Sequence, residues 1–257
     1  AERALRVGLR TAGARRGAVI AMDPNTGEVL ALVSAPAFSS SALAAGLSSS
    51  DYAALVQDAD HPLFPRAIAG TYPSGSTIKP VVAAAALSTG VITPQTRILS
   101  AGGLRVGASF FPDWQAGGHG WVSVTDALAQ SVNTFFYVIG GGWPRAVTSH
   151  GGPQQSEALG PDRLAEAFRA FGFGTPTGID VPGEGGGFVP TPAWKERERG
   201  EPWYIGDTYH LAIGQGDLLV TPLQIAVATA AFANSGKRIT PHLISDCPVS
   251  DARCQVL

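Results

Sequence analysis

Residues 81–87, Val-Val-Ala-Ala-Ala-Ala-Leu, carry no polar side chain on any face. A helix that is apolar all round must be enclosed, so other elements have to close over it from every side. The chain enters this segment through residues 72–80, Tyr-Pro-Ser-Gly-Ser-Thr-Ile-Lys-Pro. Within that entrance Ser76 and Lys79 stand three residues apart, a spacing that puts both side chains on one face of a helix. A hydroxyl beside an amine at a helix N-terminus is the minimum equipment of a serine nucleophile. The amine takes the proton, and the helix end favours developing negative charge.

The remaining composition allows such an enclosure. Of 257 residues 45% are hydrophobic and 15% charged, which gives a sizeable core and argues against disorder. A net charge of -2 argues against a nucleic-acid surface. Nothing approaches the ~18 consecutive apolar residues of a membrane span. With Ala1 in place of an initiator Met and no leader, the chain reads as an excised or processed piece. Cys247 and Cys254 are two unpaired thiols in a loop or one local disulfide; without a matching His pair they make no zinc site.

Periodicity and turn signals predict the elements. Residues 1–16 form a short helix. Residues 17–23 and 28–34 are apolar strands joined by Pro24-Asn25-Thr26-Gly27, a hairpin covered on both faces. Residues 36–70 are loop with one short helix near 50–57. The helix that opens near Ser76 stops at Gly90. Residues 92–115 are turn-rich, with short strands at most. Ser123 and Asp126 form a box-like helix start. Residues 161–171 are an amphipathic helix ended by glycines, and residues 175–206 are irregular. Thr221-Pro222 opens a last helix through Ala233. No repeat or linker divides the chain, so 1–257 is read as one domain.

Ser-x-x-Lys alone is a weak signal. A second polar pair, Ser131 and Asn133 in Ser-Val-Asn, lies 55 residues after Ser76, inside an otherwise apolar helical stretch. The two motifs at this separation resemble those of the serine acyl-transferases that bind β-lactams. The resemblance extends along nearly the whole chain. The 17–34 hairpin is similar to the first hairpin of the penicillin-binding protein transpeptidase domain. Tyr-Pro-Ser-Gly-Ser-Thr-Ile-Lys-Pro resembles its nucleophile segment, and Ser-Val-Asn-Thr-Phe-Phe-Tyr its second motif. Ile213-Gly-Gln-Gly-Asp217 with Thr221-Pro-Leu-Gln224 resembles the stretch before its third. Asp113-Trp114, Gly118-His119-Gly120 and the run from Pro202 to Thr208 are similar to the elongation-specific class B branch, penicillin-binding protein 2.

The resemblance implies an α/β (α+β) fold, an antiparallel sheet flanked by helices plus an all-helical subdomain, incomplete at the C-terminus. It places Ser131-Val132-Asn133 on a turn between helices, where periodicity alone runs one helix through. It implies a peptidoglycan D,D-transpeptidase: Ser76 as nucleophile, Lys79 as its base, Ser131 as proton relay to the leaving amine, and Asn133 holding the substrate amide and Lys79. A neutral lysine at pH 7 requires its pKa, ordinarily about 10.4, to be brought down at a cost of about 4 kcal/mol. The implied partners are peptidoglycan stem peptides, β-lactam antibiotics, a SEDS-type glycosyltransferase and elongation-complex proteins. The implied location is the periplasmic face of the bacterial inner membrane, and no cofactor is implied. The alternatives are a D,D-carboxypeptidase or β-lactamase, and a non-catalytic β-lactam-binding or partner-binding homologue.

Two departures stand out. None of Lys79, Lys195 and Lys237 is followed by Ser-Gly or Thr-Gly, the family's third motif, which supplies a cation and the strand bearing one oxyanion donor. The expectation is truncation before it, and slow or absent acylation by these 257 residues alone. Some relatives hold zinc near the positions of Asp113 and His119 with another Asp and a Cys. Here Val132 stands at the Cys-like place and Leu99-Ser100 offer no Asp, so no metal is expected and His119 is read as fixing a loop. Gly214-Gln215-Gly216 lacks the context of a phosphate loop and reads as a close turn behind the active-site floor. Glu166 reads as a solvated helix residue.

Overall fold

The computed structural model describes residues 1–144, 151–154 and 156–244. In chain order the helices are α1 (Glu2–Thr11), α2 (Ser40–Ala45), α3 (Ser49–Gln57), α4 (Lys79–Ser88), α5 (Val124–Ala129), α6 (Asn133–Gly141), α7 (Gly160–Ala170), α8 (Pro192–Arg199), α9 (Ile205–Ala212) and α10 (Pro222–Ala233). The strands are β1 (Gly17–Met22), β2 (Val29–Ala35), β3 (Ile98–Ser100), β4 (Gly103–Val106), β5 (Ser109–Pro112) and β6 (Gly120–Val122). A 3₁₀ turn, Gly75–Ile78, precedes α4. They form two compact units. One comprises Ala1–Tyr72, Thr175–Gly187 and Val220–Leu257; the other comprises Pro73–Gly174 and Phe188–Leu219. Cys247 and Cys254 lie outside the described residues.

The first unit is built on the β1–β2 antiparallel hairpin, with Ile20 opposite Leu32 and a bulge at Ala21/Met22. The Asp23 carboxylate accepts the N–H groups of Asn25 and Thr26 and closes the turn. Strand alternation sends Ala18, Ile20 and Leu32 to one face, against a core of Val29, Ala67, Ile68, Ile179 and Leu223. On the other face Leu5 and Leu9 of α1 close over Gly17. The second face is covered only toward Gly17: Ala21 and Leu30 stay exposed, so the cover is less complete than two apolar strands predict. Helix α10 begins with a reciprocal box: Gln224 N donates to Thr221 Oγ1 and Thr221 N to Gln224 Oε1. The Gln224 amide then donates to Thr175 O and Gly186 O, both at 2.8 Å, tying the 175–187 segment to this helix.

The second unit holds α4 through α9 and two short antiparallel ladders, β3–β6 and β4–β5. Its centre is α6, in which every residue from Thr134 to Gly141 is buried. Two glycines let α9 come close: a Cβ on Gly140 would lie 2.5 Å from Ala212 Cβ, and one on Gly141 2.5 Å from the Tyr209 ring. Helix α4 packs against α6 and α7. It buries Lys79, Val81, Val82, Ala83, Ala85 and Ala86, most of the enclosure its composition demands; Ala84 is half-buried and Leu87, at the C-terminal end, is exposed.

The stretch 175–206 is less irregular than its sequence suggests, because α8 and the start of α9 lie in it. Helix α8, Pro-Ala-Trp-Lys-Glu-Arg-Glu-Arg, has no apolar stripe to announce it. It is set by its ends: Thr191 Oγ1 accepts the Trp194 N–H, and Gly200 ends the helix in the left-handed region. Helix α2 is likewise additional, started by Ser39. Among the described residues no helix is long and apolar enough to cross a membrane.

Candidate active site

Ser76 lies in the 3₁₀ turn, and Lys79 is the first residue of α4, its N–H donating to Ser76 O. In a 3₁₀ turn residues three apart are eclipsed, so the Ser-x-x-Lys spacing still places both on one side. The turn is held from behind. Gly75 N donates to Gly214 O at 2.8 Å, and Thr77 Oγ1 to Ser74 O at 2.7 Å. Gly214 is the close turn expected of Gly-Gln-Gly. Its φ is +74°, and a Cβ there would lie 2.2 Å from Gly75 O. Gly214→Ala therefore pushes on the backbone one residue from Ser76. The expected cost is about 2 kcal/mol, or roughly a 4–8 °C fall in thermal midpoint by calorimetry.

Lys79 is 2% exposed. Its ammonium donates to Ser131 O at 2.8 Å, Ser131 Oγ at 3.0 Å and Asn133 Oδ1 at 2.7 Å, and lies 5.2 Å from the centre of the Phe136 ring. Burial lowers its pKa to about 8, and the negative charge of Asp113 opposes the shift. Ser131 and Asn133 occupy a break between α5 and α6, with Ser131 in the left-handed region at φ +54°. Val132 points inward and is fully buried. This is the helix–turn–helix arrangement that the family resemblance implies.

Ser76, Ser131 and Asn133 line one cavity of about 610 Å³ together with Trp114, Ala129 and Gln130. Ser76 is exposed there. The Trp114 indole N–H donates to Gln130 O, while its ring stays 63% exposed at the rim. A cavity of about 480 Å³ in the other unit is lined by Leu55, Val56, His61, Leu63, Phe64 and Pro65 and offers no nucleophile. Glu166 is an exposed residue of α7.

Asp113 and Gln130 are the residues that sequence reasoning left without a role here. The Asp113 carboxylate accepts from Ser100 Oγ, Trp114 N, Asn133 N, Thr134 N and Thr134 Oγ1. Burial raises its pKa, but the donors from Thr134, Asn133 and Trp114 outweigh burial and hold the carboxyl below the usual carboxylate range. No local signal in the sequence pointed to it: Val132 at the N-cap of α6 has no side-chain acceptor, and the acceptor that replaces it lies twenty residues earlier. The His119 ring is buried, with Nδ1 3.3 Å from Gln130 Oε1 and Nε2 3.8 Å from Asp113 Oδ1. The His119 backbone N–H donates to Ser100 O, so the residue does tie a loop to β3. Among the described residues no group of three or more His, Cys, Asp or Glu side chains is placed to hold a metal.

The fold and the site have relatives. The peptidoglycan D,D-transpeptidase MrdA of Acinetobacter baumannii is 40% identical over 232 residues, 90% of this chain and 32% of that protein. MrdA of Escherichia coli K12 is 42% identical over 231 residues, 89% of this chain and 34% of that protein. The chain thus spans about a third of the length of the curated relatives it matches. Pseudomonas aeruginosa PBP2, solved in complex with WCK 5153, superposes with a TM-score of 0.81 at 37% identity, over 94% of this chain and 50% of that one. Helicobacter pylori PBP2, solved with MreC, gives 0.79 at 33% identity, over 93% of this chain and 42% of that one. The fold is accordingly the mixed α/β transpeptidase fold that the motifs implied. The model of the penicillin binding protein transpeptidase domain matches residues 17–252, and the chain belongs to that family.

Proposed function

We propose that the chain carries the acyl-transfer site of a peptidoglycan D,D-transpeptidase, with Ser76 as nucleophile, Lys79 as base, Ser131 as proton relay and Asn133 as the group that holds substrate and base. The observation that carries this is the hydrogen-bond pattern at Lys79. Ser131 O and Asn133 Oδ1 can only accept, whereas Ser131 Oγ can accept or donate. A charged Lys79 donates to all three. A neutral Lys79 donates to the two obligate acceptors, and its lone pair accepts a hydrogen bond from the Ser131 hydroxyl. Both protonation states fit one arrangement of heavy atoms, as a group that gains and loses a proton in each cycle requires.

The steps follow. Ser76 Oγ attacks the carbonyl carbon between two terminal D-alanines of a stem peptide while its proton passes to Lys79 by way of the Ser131 hydroxyl that faces the amine. The tetrahedral intermediate collapses, the C–N bond breaks, and the departing D-alanine amine takes a proton from Ser131 Oγ, which Lys79 replenishes. An acyl ester on Ser76 remains. The amine of a second stem peptide attacks it and gives its proton to Lys79. The ester C–O bond breaks and Ser76 regains its proton. A β-lactam enters the first half of this cycle, but its ring keeps the leaving nitrogen tethered, so the ester persists. The Ser76 N–H, at the start of the helical segment, is one oxyanion donor.

Relatives support partners of the same kind. One mycobacterial penicillin-binding protein A is described as an imipenem acyl-enzyme complex, and another related structure is described as a peptidoglycan synthase complex coordinating polymerization and crosslinking. For this chain the substrate is the stem peptide, the inhibitors are β-lactams, and the partner is a glycan-polymerising enzyme of the SEDS type within an elongation complex. Its place is the extracytoplasmic side of the inner membrane.

Acylation tests the reading. A chimera is made in which residues 17–252 replace the matching segment of the Acinetobacter relative. Incubated with benzylpenicillin and digested, it should carry its adduct on the Ser76 peptide, and it should release D-alanine from a D-Ala-D-Ala-ended pentapeptide. An adduct on another residue, or an undiminished adduct in Ser76→Ala, overturns the proposal. The 257-residue chain by itself, with no Lys-Ser/Thr-Gly and one oxyanion donor, should label about 10²–10³-fold more slowly than the chimera.

A further inference from the structure

We propose that Asp113 is the positioning residue of this site: its carboxylate caps α6 from outside the helix and thereby fixes the Ser131–Asn133 turn against Lys79. The proposal rests on the acyl-transfer reading above and adds to it a residue that touches no reacting atom.

Helix α6 must find acceptors for its first N–H groups, and Val132 at its N-cap supplies none. Asp113, twenty residues earlier, supplies them. Asn133 N donates to Oδ1 at 3.0 Å and Thr134 N to Oδ2 at 3.0 Å, with Thr134 Oγ1 adding a 2.8 Å bond to Oδ2. An anion also suits the positive end of a helix. The carboxylate is itself anchored by Trp114 N at 3.0 Å and Ser100 Oγ at 3.1 Å. Five donors on a residue only 6% exposed leave it one position.

Asn133 is therefore fixed at both ends. Its N–H is on Asp113, and its side-chain oxygen is 2.7 Å from Lys79 Nζ. Loss of the cap lets the first turn of α6 shift, and Asn133 Oδ1 and Ser131 O shift with it. The charge acts in the same sense: Asp113 opposes the lowering of the Lys79 pKa by burial. The other groups on neighbouring elements do not replace it. Burial pushes the Tyr137 phenol on α6 up to about 12, Asp126 on α5 is taken up by Ser123, and Asp162, Arg163, Glu166 and Arg169 of α7 are exposed.

The chain has only three lysines, so its side-chain ammonium groups can be followed one by one. The full chain labelled with [ε-¹³C]lysine is titrated by NMR, with the Lys79 signal assigned by its loss in Lys79→Arg. In the wild type its midpoint is expected at about 8. In Asp113→Asn it should fall by roughly half a pH unit or more, because the opposing charge and the ordered acceptors are both lost. A merely structural residue gives the reverse: loosened packing admits water and returns the midpoint toward that of a free lysine. An unchanged or raised midpoint overturns the proposal. In covalent labelling by a fluorescent penicillin, k2 should fall about 10-fold with Ks within about twofold; a wild-type k2 also overturns it. If Asp113→Asn lacks the native near-ultraviolet circular dichroism, Thr134→Val is used. It keeps the carboxylate and removes one donor, and k2 should fall about threefold; no fall overturns the proposal. Failure of the acyl-transfer reading shows separately, as an adduct that persists in Ser76→Ala.

Discussion

Replacing Lys79 by methionine is expected to slow acylation of Ser76 by a factor of about 10²–10⁴, the range for removal of a positioned general base, while leaving the protein at least as stable at pH 7. The two halves have one cause. Burial lowers the Lys79 pKa from 10.5 to about 8. At pH 7 roughly a tenth of the molecules then hold a neutral amine able to take the Ser76 proton, against well under a thousandth for an ordinary lysine. The wild-type acylation rate should rise with pH through about 8 and level off above it, and Lys79→Met should lose that limb. Stability has a definite sign as well. Below pH 8 both the folded and the unfolded chain bind the Lys79 proton, and the folded state bears the full cost of a buried ammonium, about 3 kcal/mol. That cost is relieved as pH rises from about 8 toward 10.5, where only the unfolded chain still holds the proton. Methionine fills the same channel without charge and removes the cost at pH 7, although Ser131 and Asn133 lose a donor. The check is a rate–pH profile of fluorescent penicillin capture beside a thermal midpoint at pH 7. A midpoint several degrees below wild type would mean that Lys79 holds the fold together and is not a burdened functional group.

How much of this could be read in the sequence depends on how local the cause is. The β1–β2 hairpin, α4 and α10 follow from turn residues, apolar runs and caps within a few positions, and they lie where those signals put them. The Ser-x-x-Lys spacing was legible for the same reason, since three residues of any right-handed turn bring Ser76 and Lys79 to one side. The break at Ser131 was not legible from periodicity. The apolar pattern of α5 and α6 is continuous, and what interrupts it is a left-handed serine followed by a valine that cannot cap. Only the family motif indicated a turn there. The missing cap is Asp113, whose link to Asn133 spans twenty residues, a distance at which hydrogen-bond partners leave no mark on local pattern. Helix α8 escaped notice for the opposite reason. Its residues are strongly polar, and it holds its place through Lys195, buried with its ammonium 2.7 Å from Asp207 of α9.

Ser131 provides the second large effect, and its backbone makes the experiment clean. A serine at φ +54° bears a steric cost of order 1 kcal/mol that glycine would not. If the position served only to turn the chain, glycine would be the better residue. The side chain held there at that cost is the one 3.0 Å from Lys79 Nζ. Ser131→Gly should therefore keep the turn, keep the carbonyl that accepts from Lys79, and leave the thermal midpoint within a few degrees of wild type. It should nonetheless lose roughly 10²–10³ in acylation rate, the contribution of a positioned proton donor to the leaving amine. Ser131→Ala should lose a similar factor in rate but sit lower in stability, because alanine inherits the left-handed strain without the hydroxyl. The order of the two variants separates the causes. Equal rates with unequal midpoints assign the loss to the missing hydroxyl. A Ser131→Gly protein that acylates like wild type would remove the relay from the mechanism and leave Lys79 to protonate the leaving nitrogen directly.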